Sequence, residues 1–157
     1  MVSSIITNSK KEEKIKTFSP LIVSASRATD IPAFYADWLI NKFEKNYCLK
    51  QNPFNQKFEY ISLNDVRFIV FWSKNPENIV NKLSYFDSRG INYYFQFTLN
   101  DYEAENYEIN IPKLDSRISI FKNLSDTIGK DKIVWRFDPL ILSEKINLKQ
   151  IIEKVIN

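Results

Sequence analysis

Residues 66–76 read VRFIVFWSKNP. Five apolar residues follow Arg67 without alternation, which is typical of a strand buried in a parallel sheet. The run turns polar at Ser73, and Asn75 followed by Pro76 is a helix-start signal. The stretch therefore predicts a β-strand whose carboxyl end leads directly into a helix.

The same strand-to-helix unit occurs four times. Short apolar runs lie at 21–26, 66–72, 92–98 and 132–137, and each is followed by helix-start signals or by apolar residues at helical spacing. Alternating units of this kind predict an α/β fold with a parallel sheet of about four βα units. Complete (β/α)8 barrels run to about 200 residues or more, so we expect half of a TIM-type barrel, with a small open α/β sheet as the alternative.

The domain is assigned to residues 20–157, and residues 1–19 form an N-terminal extension that we expect to be partly flexible. Within the extension, residues 2–7 are predicted as a short strand and the charge run at 10–16 as solvated. Residues 47–63 are an excursion between the first two units, predicted as a hairpin around the turn residues Asn-Pro-Phe-Asn.

The composition excludes several classes of site. The 157 residues include no His, a single Cys (Cys48) and two Gly, and the formal net charge is +3. This excludes Ser-His-Asp and Cys-His catalysis, His-ligated metals, four-cysteine zinc sites and glycine-rich phosphate loops. The small charge makes nucleic acid an unexpected partner. Without an 18-residue apolar run or a signal peptide, we expect a cytoplasmic protein with no membrane contact.

Polar clusters follow each of the four apolar runs. In parallel α/β folds the ligand site lies at the carboxyl ends of the strands, so these clusters are expected to converge on one pocket. The alternative is that strand ends become polar because they reach solvent. The candidate ligand-binding residues are Ser24, Ser26, Arg27, Asp30, Asn52, Trp72, Lys74, Asn75, Gln96, Thr98, Arg136 and Asp138.

Some of these candidates have a second interpretation. Arg27 and Asp30 form either a local ion pair that caps a helix or part of the ligand site. Arg136 and Asp138 can pair, which would orient the arginine toward an anionic ligand. Trp72 and Trp135 are interpreted as core residues in preference to stacking platforms.

Five motifs, in this order, resemble the domain-of-unknown-function family 1848: SASRATDIPAFY at 24–35, NPFN at 52–55, FWSKNP at 71–76, YFQFTL at 94–99 and WRFDP at 135–139. The resemblance implies a barrel-type protein of about twice this length. It also implies a C-terminal cysteine cluster similar to the iron–sulfur cysteines of radical S-adenosylmethionine enzymes. This chain departs from the pattern, because it ends at residue 157 without that cluster and has Ala28 where a second arginine is expected.

Three functional hypotheses follow. The chain is the N-terminal part of a radical S-adenosylmethionine-like enzyme, a non-catalytic module that binds an anionic small molecule or nucleotide, or a truncated remnant. We expect no cofactor or metal in this chain itself, with an iron–sulfur cluster and S-adenosylmethionine only in a full-length relative. We also expect the open edges of the sheet, at the first and fourth strands, to be covered by self-association or by a partner chain.

Overall fold

The computed structural model describes residues 17–26, 29–51, 54, 56 and 58–156. The strands of this part of the chain are β1 (Thr17–Phe18), β2 (Ile22–Ser24), β3 (Tyr47–Gln51), β4 (Phe58–Ser62), β5 (Phe68–Ser73), β6 (Asn92–Thr98) and β7 (Ile133–Arg136). Its α-helices are α1 (Ile31–Phe34), α2 (Ala36–Lys45), α3 (Glu77–Val80), α4 (Leu83–Asp87), α5 (Leu114–Ile128) and α6 (Leu148–Ile156).

The larger sheet has four parallel strands in the order β2-β5-β6-β7. Its register places Val70 opposite Ser24 on one side and Tyr94 on the other, and Thr98 opposite Arg136. Helices α3 and α4 lie between β5 and β6 in the chain, and α5 lies between β6 and β7. The predicted parallel sheet of four βα units is confirmed, and the fold is a half-barrel-like α/β arrangement with β2 and β7 as its edges.

One face of this sheet packs into the main core together with α2, α4 and α5. Phe71 of β5 and Phe95 of β6 are completely buried, and their rings stack with centroids 4.8 Å apart. Phe86 of α4 lies 5.9 Å from the ring of Phe71 and is also completely buried. Burying one such side chain contributes about 1.5–3 kcal/mol, so this layer of aromatic residues is a main source of the stability of the fold.

The opposite face is called here the open face. Because side chains alternate along a strand, it is formed by Ile22, Ser24, Phe68, Val70, Trp72, Tyr94, Gln96, Thr98, Val134 and Arg136. Ile22 is 63% exposed and Val134 is 47% exposed. The near-continuous apolar runs predicted strands covered by helices, but in the described part of the chain large side chains of the open face stay exposed, and Trp135 at the edge of the opposite face is exposed as well.

A second, smaller sheet has the order β1-β4-β3. β3 and β4 pair antiparallel, with Tyr47 opposite Ser62, so the hairpin predicted for residues 47–63 is confirmed. β1, which sequence reasoning did not predict, pairs parallel to β4 and brings the end of the N-terminal extension into this sheet. The strand expected at 2–7 and the charge run at 10–16 lie outside the described residues.

The predicted helix starts are found, but two helices are interrupted. The helical segment after Asp30 is divided at Tyr35 into α1 and α2, and the segment after Pro76 is divided into α3 and α4. At the second break the Lys82 N–H donates to the Ile79 carbonyl, three residues back, so the turn is tighter than an α-helix. Helical spacing of apolar residues did not reveal these breaks.

The later helices have the predicted boundaries. α5 is followed by Gly129, whose φ of 91° is readily adopted only by glycine. α6 starts after Asn147, where Asn147 and Gln150 exchange side-chain-to-backbone hydrogen bonds as in a capping box. In the described part of the chain, α5 is the longest helix at 15 residues, and none is long and apolar enough to cross a membrane.

Candidate functional site

Most of the candidate residues lie at the carboxyl edge of the larger sheet. Ser26 follows β2, Lys74 follows β5, Arg136 is the last residue of β7 and Asp138 comes two positions later, while Gln96 lies near the end of β6. Because the four strands are parallel, these ends belong to one edge of the sheet. Arg27 and Asn52 lie outside the described residues.

Arg136 and Trp72 form the best-defined contact on the open face. The guanidinium of Arg136 lies 4.5 Å from the centroid of the Trp72 ring, a cation–π geometry. Its Nη2 atom donates to Asp138 Oδ2 at 2.9 Å, so the predicted pairing of these two residues is found. The aromatic ring and the carboxylate hold the guanidinium in one orientation while part of it stays exposed to solvent.

The interpretation of the two tryptophans as core residues is wrong. Trp72 is 40% exposed and Trp135 is 47% exposed. Trp72 belongs to the open face, one position after the buried Phe71, so strand alternation places it opposite the core. Trp135 lies on the edge strand β7, where its indole N–H donates to the Leu99 carbonyl. A strand that looks apolar throughout does not show which of its faces is covered.

Asp30 connects the first helix to the end of β5. Its carboxylate accepts hydrogen bonds from the Ala33 N–H at 3.0 Å, from the Ser73 hydroxyl at 2.9 Å and from the Lys74 N–H at 3.0 Å. Burial raises the pKa of Asp30 above its usual value, although these hydrogen bonds and the charge of Lys74 act in the opposite direction. Asp30 therefore caps α1, as predicted, and also positions the backbone at Lys74.

The ammonium of Lys74 forms an ion pair with Glu108, a residue that sequence reasoning missed. Burial lowers the pKa of Lys74 and the nearby charge of Arg117 lowers it further, whereas Asp138 and Asp30 act in the opposite direction. Glu108 lies in the loop between β6 and α5 and adopts a left-handed conformation with φ of 60°. No spacing or motif distinguishes it among the many acidic residues of that loop.

Arg117 was also missed, and it supports the same loop from α5. It is completely buried, and its guanidinium donates to the Asn100 carbonyl at 2.8 Å and to the Pro112 carbonyl at 3.0 Å. These bonds join the two ends of the loop. One signal was available, since Arg117 lies three residues after Leu114 and seven before Leu124, on the apolar stripe of the predicted helix.

The remaining candidates make local contacts. Gln96 donates to the Tyr94 hydroxyl at 2.9 Å, and both side chains belong to the open face. Thr98 is buried opposite Arg136, and Ser24 is exposed on the edge strand β2. The Ser26 hydroxyl donates to the Ala25 carbonyl, and Asn75 accepts a long hydrogen bond from the Glu77 N–H at the start of α3.

Comparison with family models decides the family. Residues 22–157 match the model described as "Domain of unknown function (DUF1848)", which is most of the chain. The chain belongs to DUF1848. No curated protein and no solved structure matches it. The description of DUF1848 names no activity.

The residues of this DUF1848 chain do not fit an iron–sulfur cluster. Such clusters are held by about four ligands, mostly cysteine thiolates, and the sequence contains one cysteine. Cys48 lies on β3 in the smaller sheet, and burial raises the pKa of its thiol, which disfavours the thiolate that a metal requires. Among the described residues no group of three or more Cys, Asp or Glu could hold a metal ion.

Proposed function

We propose that this chain binds an anionic small molecule at the carboxyl edge of the larger sheet. The observation that carries the proposal is the Arg136 guanidinium held over Trp72 and oriented by Asp138. A guanidinium fixed in this way presents its remaining N–H groups to a carboxylate or a phosphate, which it can bind through two parallel hydrogen bonds.

Lys74 supplies a second positive charge at this edge. It follows Trp72 by two positions, and Asp30 fixes its backbone through the hydrogen bond to the Lys74 N–H. Its half-buried ammonium is a stronger partner for an anion than a fully exposed one, because the surroundings screen its charge less. An anion bound between Arg136 and Lys74 would replace the solvent and side-chain contacts that these groups now make.

The neighbouring surface indicates what else the ligand carries. Tyr94 lies on the same open face as Trp72, and its hydroxyl accepts a hydrogen bond from Gln96, the residue opposite Trp72. Flat apolar groups pack favourably on such aromatic side chains. The ligand class that fits this surface is an anion with a planar apolar part, of which a nucleotide is one example.

The proposal is for binding, not for turnover. The carboxylate of Asp30 is occupied by three hydrogen bonds, so it is not poised as a general base. The hypothesis that the chain is the N-terminal part of a radical S-adenosylmethionine-like enzyme stays a prediction, because the matched family model names no activity.

Calorimetric titration with inorganic phosphate and with adenosine monophosphate tests the proposal. Loss of a charge-assisted hydrogen bond costs about 1.5–3 kcal/mol, so we expect Arg136→Gln and Lys74→Gln each to weaken binding by roughly 10- to 100-fold. Trp72→Ala should weaken the binding of adenosine monophosphate more than the binding of phosphate, because only the nucleotide has a ring that can stack on the indole.

Lys149→Gln is the matched control, since Lys149 is a largely exposed lysine on α6. It removes the same charge as Lys74→Gln, but from another part of the molecule. Because this charge is exposed and screened, the affinities for phosphate and for adenosine monophosphate should stay within about twofold of the wild-type values. Equal losses in Lys149→Gln and Arg136→Gln would show that the anions respond only to net charge, and would refute the site.

A further inference from the structure

The carboxylate of Glu108 already occupies the position on Lys74 that a bound anion would take. Its Oε1 atom forms the ion pair with the Lys74 ammonium. Its Oε2 atom is buried and has no hydrogen-bond partner among the described residues. A buried carboxylate oxygen without a partner is costly, so the contact satisfies Glu108 only in part.

A second place for this carboxylate lies beside it. A cavity of about 220 Å³ lies within the loop between β6 and α5, and Glu108, Lys113 and Arg117 all line it. The volume of one water in the liquid is about 30 Å³, so the cavity has room for a carboxylate group. Glu103 lines the cavity as well. Burial lowers the pKa of Arg117, and the charges of Glu103 and Asp101 act in the opposite direction. Within the described part of the chain, Arg117 donates hydrogen bonds to Asn100 and Pro112 and forms no ion pair.

We propose that Glu108 is an internal competitor for the anion site, displaced from Lys74 when a ligand carboxylate or phosphate binds there. The displaced carboxylate moves into the cavity, where Lys113 and Arg117 offer it new cationic partners. The inference rests on the proposed function, because it names the element that regulates the same site. The exchange keeps Lys74 paired with an anion throughout, with Glu108 before it and with the ligand after it.

With an internal competitor, the apparent affinity of the site for the ligand equals the intrinsic affinity multiplied by the fraction of time that the site is free. If Lys74 is free for about a fifth of the time, Glu108→Gln should tighten the binding of inorganic phosphate about fivefold. The gain should disappear in the Lys74→Gln background, because it depends on the freed ammonium. Glutamine has the size of glutamate, and a thermal melt of each variant verifies that it is folded.

Glu105→Gln is the matched control for charge. Glu105 lies in the same loop but pairs with Lys154, at 3.3 Å, and not with Lys74. A general effect of removing one negative charge would tighten phosphate binding equally in Glu105→Gln and Glu108→Gln, and that result would overturn the inference. Hydrogen exchange gives a second measurement, in which phosphate should speed the exchange of amides 108–111 in the wild-type chain, while unchanged exchange would contradict displacement.

The outcomes separate this inference from the proposed function. If phosphate binds the wild-type chain and is lost in Lys74→Gln, but Glu108→Gln does not differ from wild type, the site stands and the competitor is refuted. If Glu108→Gln binds phosphate about fivefold more tightly and Glu105→Gln does not, the competitor is supported. If neither the wild-type chain nor Glu108→Gln binds phosphate, both the anion site and the internal competitor are refuted.

Discussion

Replacing Asp30 tests whether this carboxylate joins α1 to the end of β5. Asp30→Ala removes the acceptor for the Ala33 N–H, the Ser73 hydroxyl and the Lys74 N–H. Loss of an N-cap costs about 1 kcal/mol, and leaving a buried donor unsatisfied costs about 1–3 kcal/mol. Since the Ser73 side chain is buried, we expect the free energy of unfolding to fall by about 3 kcal/mol, after allowing for the relieved burial of the carboxylate.

Urea denaturation followed by circular dichroism measures this change. A fall of about 3 kcal/mol corresponds to a decrease of roughly 6–12 °C in Tm for a domain of this size. Asp30→Asn should lower the free energy of unfolding less than Asp30→Ala does. The amide oxygen of asparagine still accepts hydrogen bonds, although its NH2 group faces a donor. Asp37→Asn is the control, since Asp37 is exposed and its ion pair with Lys82 is worth well under about 1 kcal/mol.

The pH dependence gives an independent check on Asp30. Its pKa is raised in the folded chain, so between the unfolded and folded pKa values the folded state binds more protons than the unfolded state. The contribution of Asp30 to the free energy of unfolding is therefore largest when the pH is below the pKa of Asp30 in the unfolded chain. This contribution is lost as the pH rises through the pKa of Asp30 in the folded chain. The stability advantage of wild type over Asp30→Asn should narrow with rising pH. An advantage that widens with rising pH, or an Asp30→Ala variant as stable as Asp37→Asn, would show that Asp30 does not join α1 to β5.

Three further predictions concern the core, the cysteine and the sheet edges. Phe71→Ala should lower the free energy of unfolding by about 3–5 kcal/mol in urea, because Phe71 is completely buried, and a loss below about 1 kcal/mol would contradict the core described here. Because burial raises the pKa of Cys48, its thiol should react with a disulfide reagent at pH 8 more slowly than the thiol of glutathione. The reaction should become faster as the pH rises and the thiolate forms. A rate equal to that of glutathione would argue against burial of Cys48. β2 and β7, which are the edge strands of the larger sheet in the described part of the chain, should cause self-association in sedimentation experiments over a concentration series, and Val134→Lys on β7 should weaken it. A concentration-independent monomer would contradict that expectation.

Local sequence patterns predicted the four strands of the larger sheet, the end of α5 and the start of α6 correctly. The run at 92–98 coincides with β6, and Gly129 ends α5 as predicted. These features depend on neighbours within a few residues, such as the apolar period, the cap and the glycine with positive φ, so the local sequence contains them. The same patterns placed Lys74, Arg136 and Asp138 at strand ends, because in a parallel fold every strand end lies at one edge.

The coverage of each strand face could not be predicted in this way. Trp72 and Phe71 are adjacent aromatic residues in one apolar run, yet Phe71 is completely buried and Trp72 faces outward. Which of the two is covered depends on where α2, α4 and α5 pack, and these helices are distant in sequence. Burial is a property of the whole chain, so an unbroken apolar run does not reveal it.

Local patterns are enough to predict the parallel βα architecture and the edge at which the polar residues gather. Contacts between distant parts of the chain select which of those residues meet, as Arg136 does with Trp72, and which further residues join them. Glu108 and Arg117 belong to a loop and a helix that no local pattern connects to Lys74. Their contacts arise from folding of the loop between β6 and α5, and electrostatic interactions depend on distance in space and burial, not on separation along the chain.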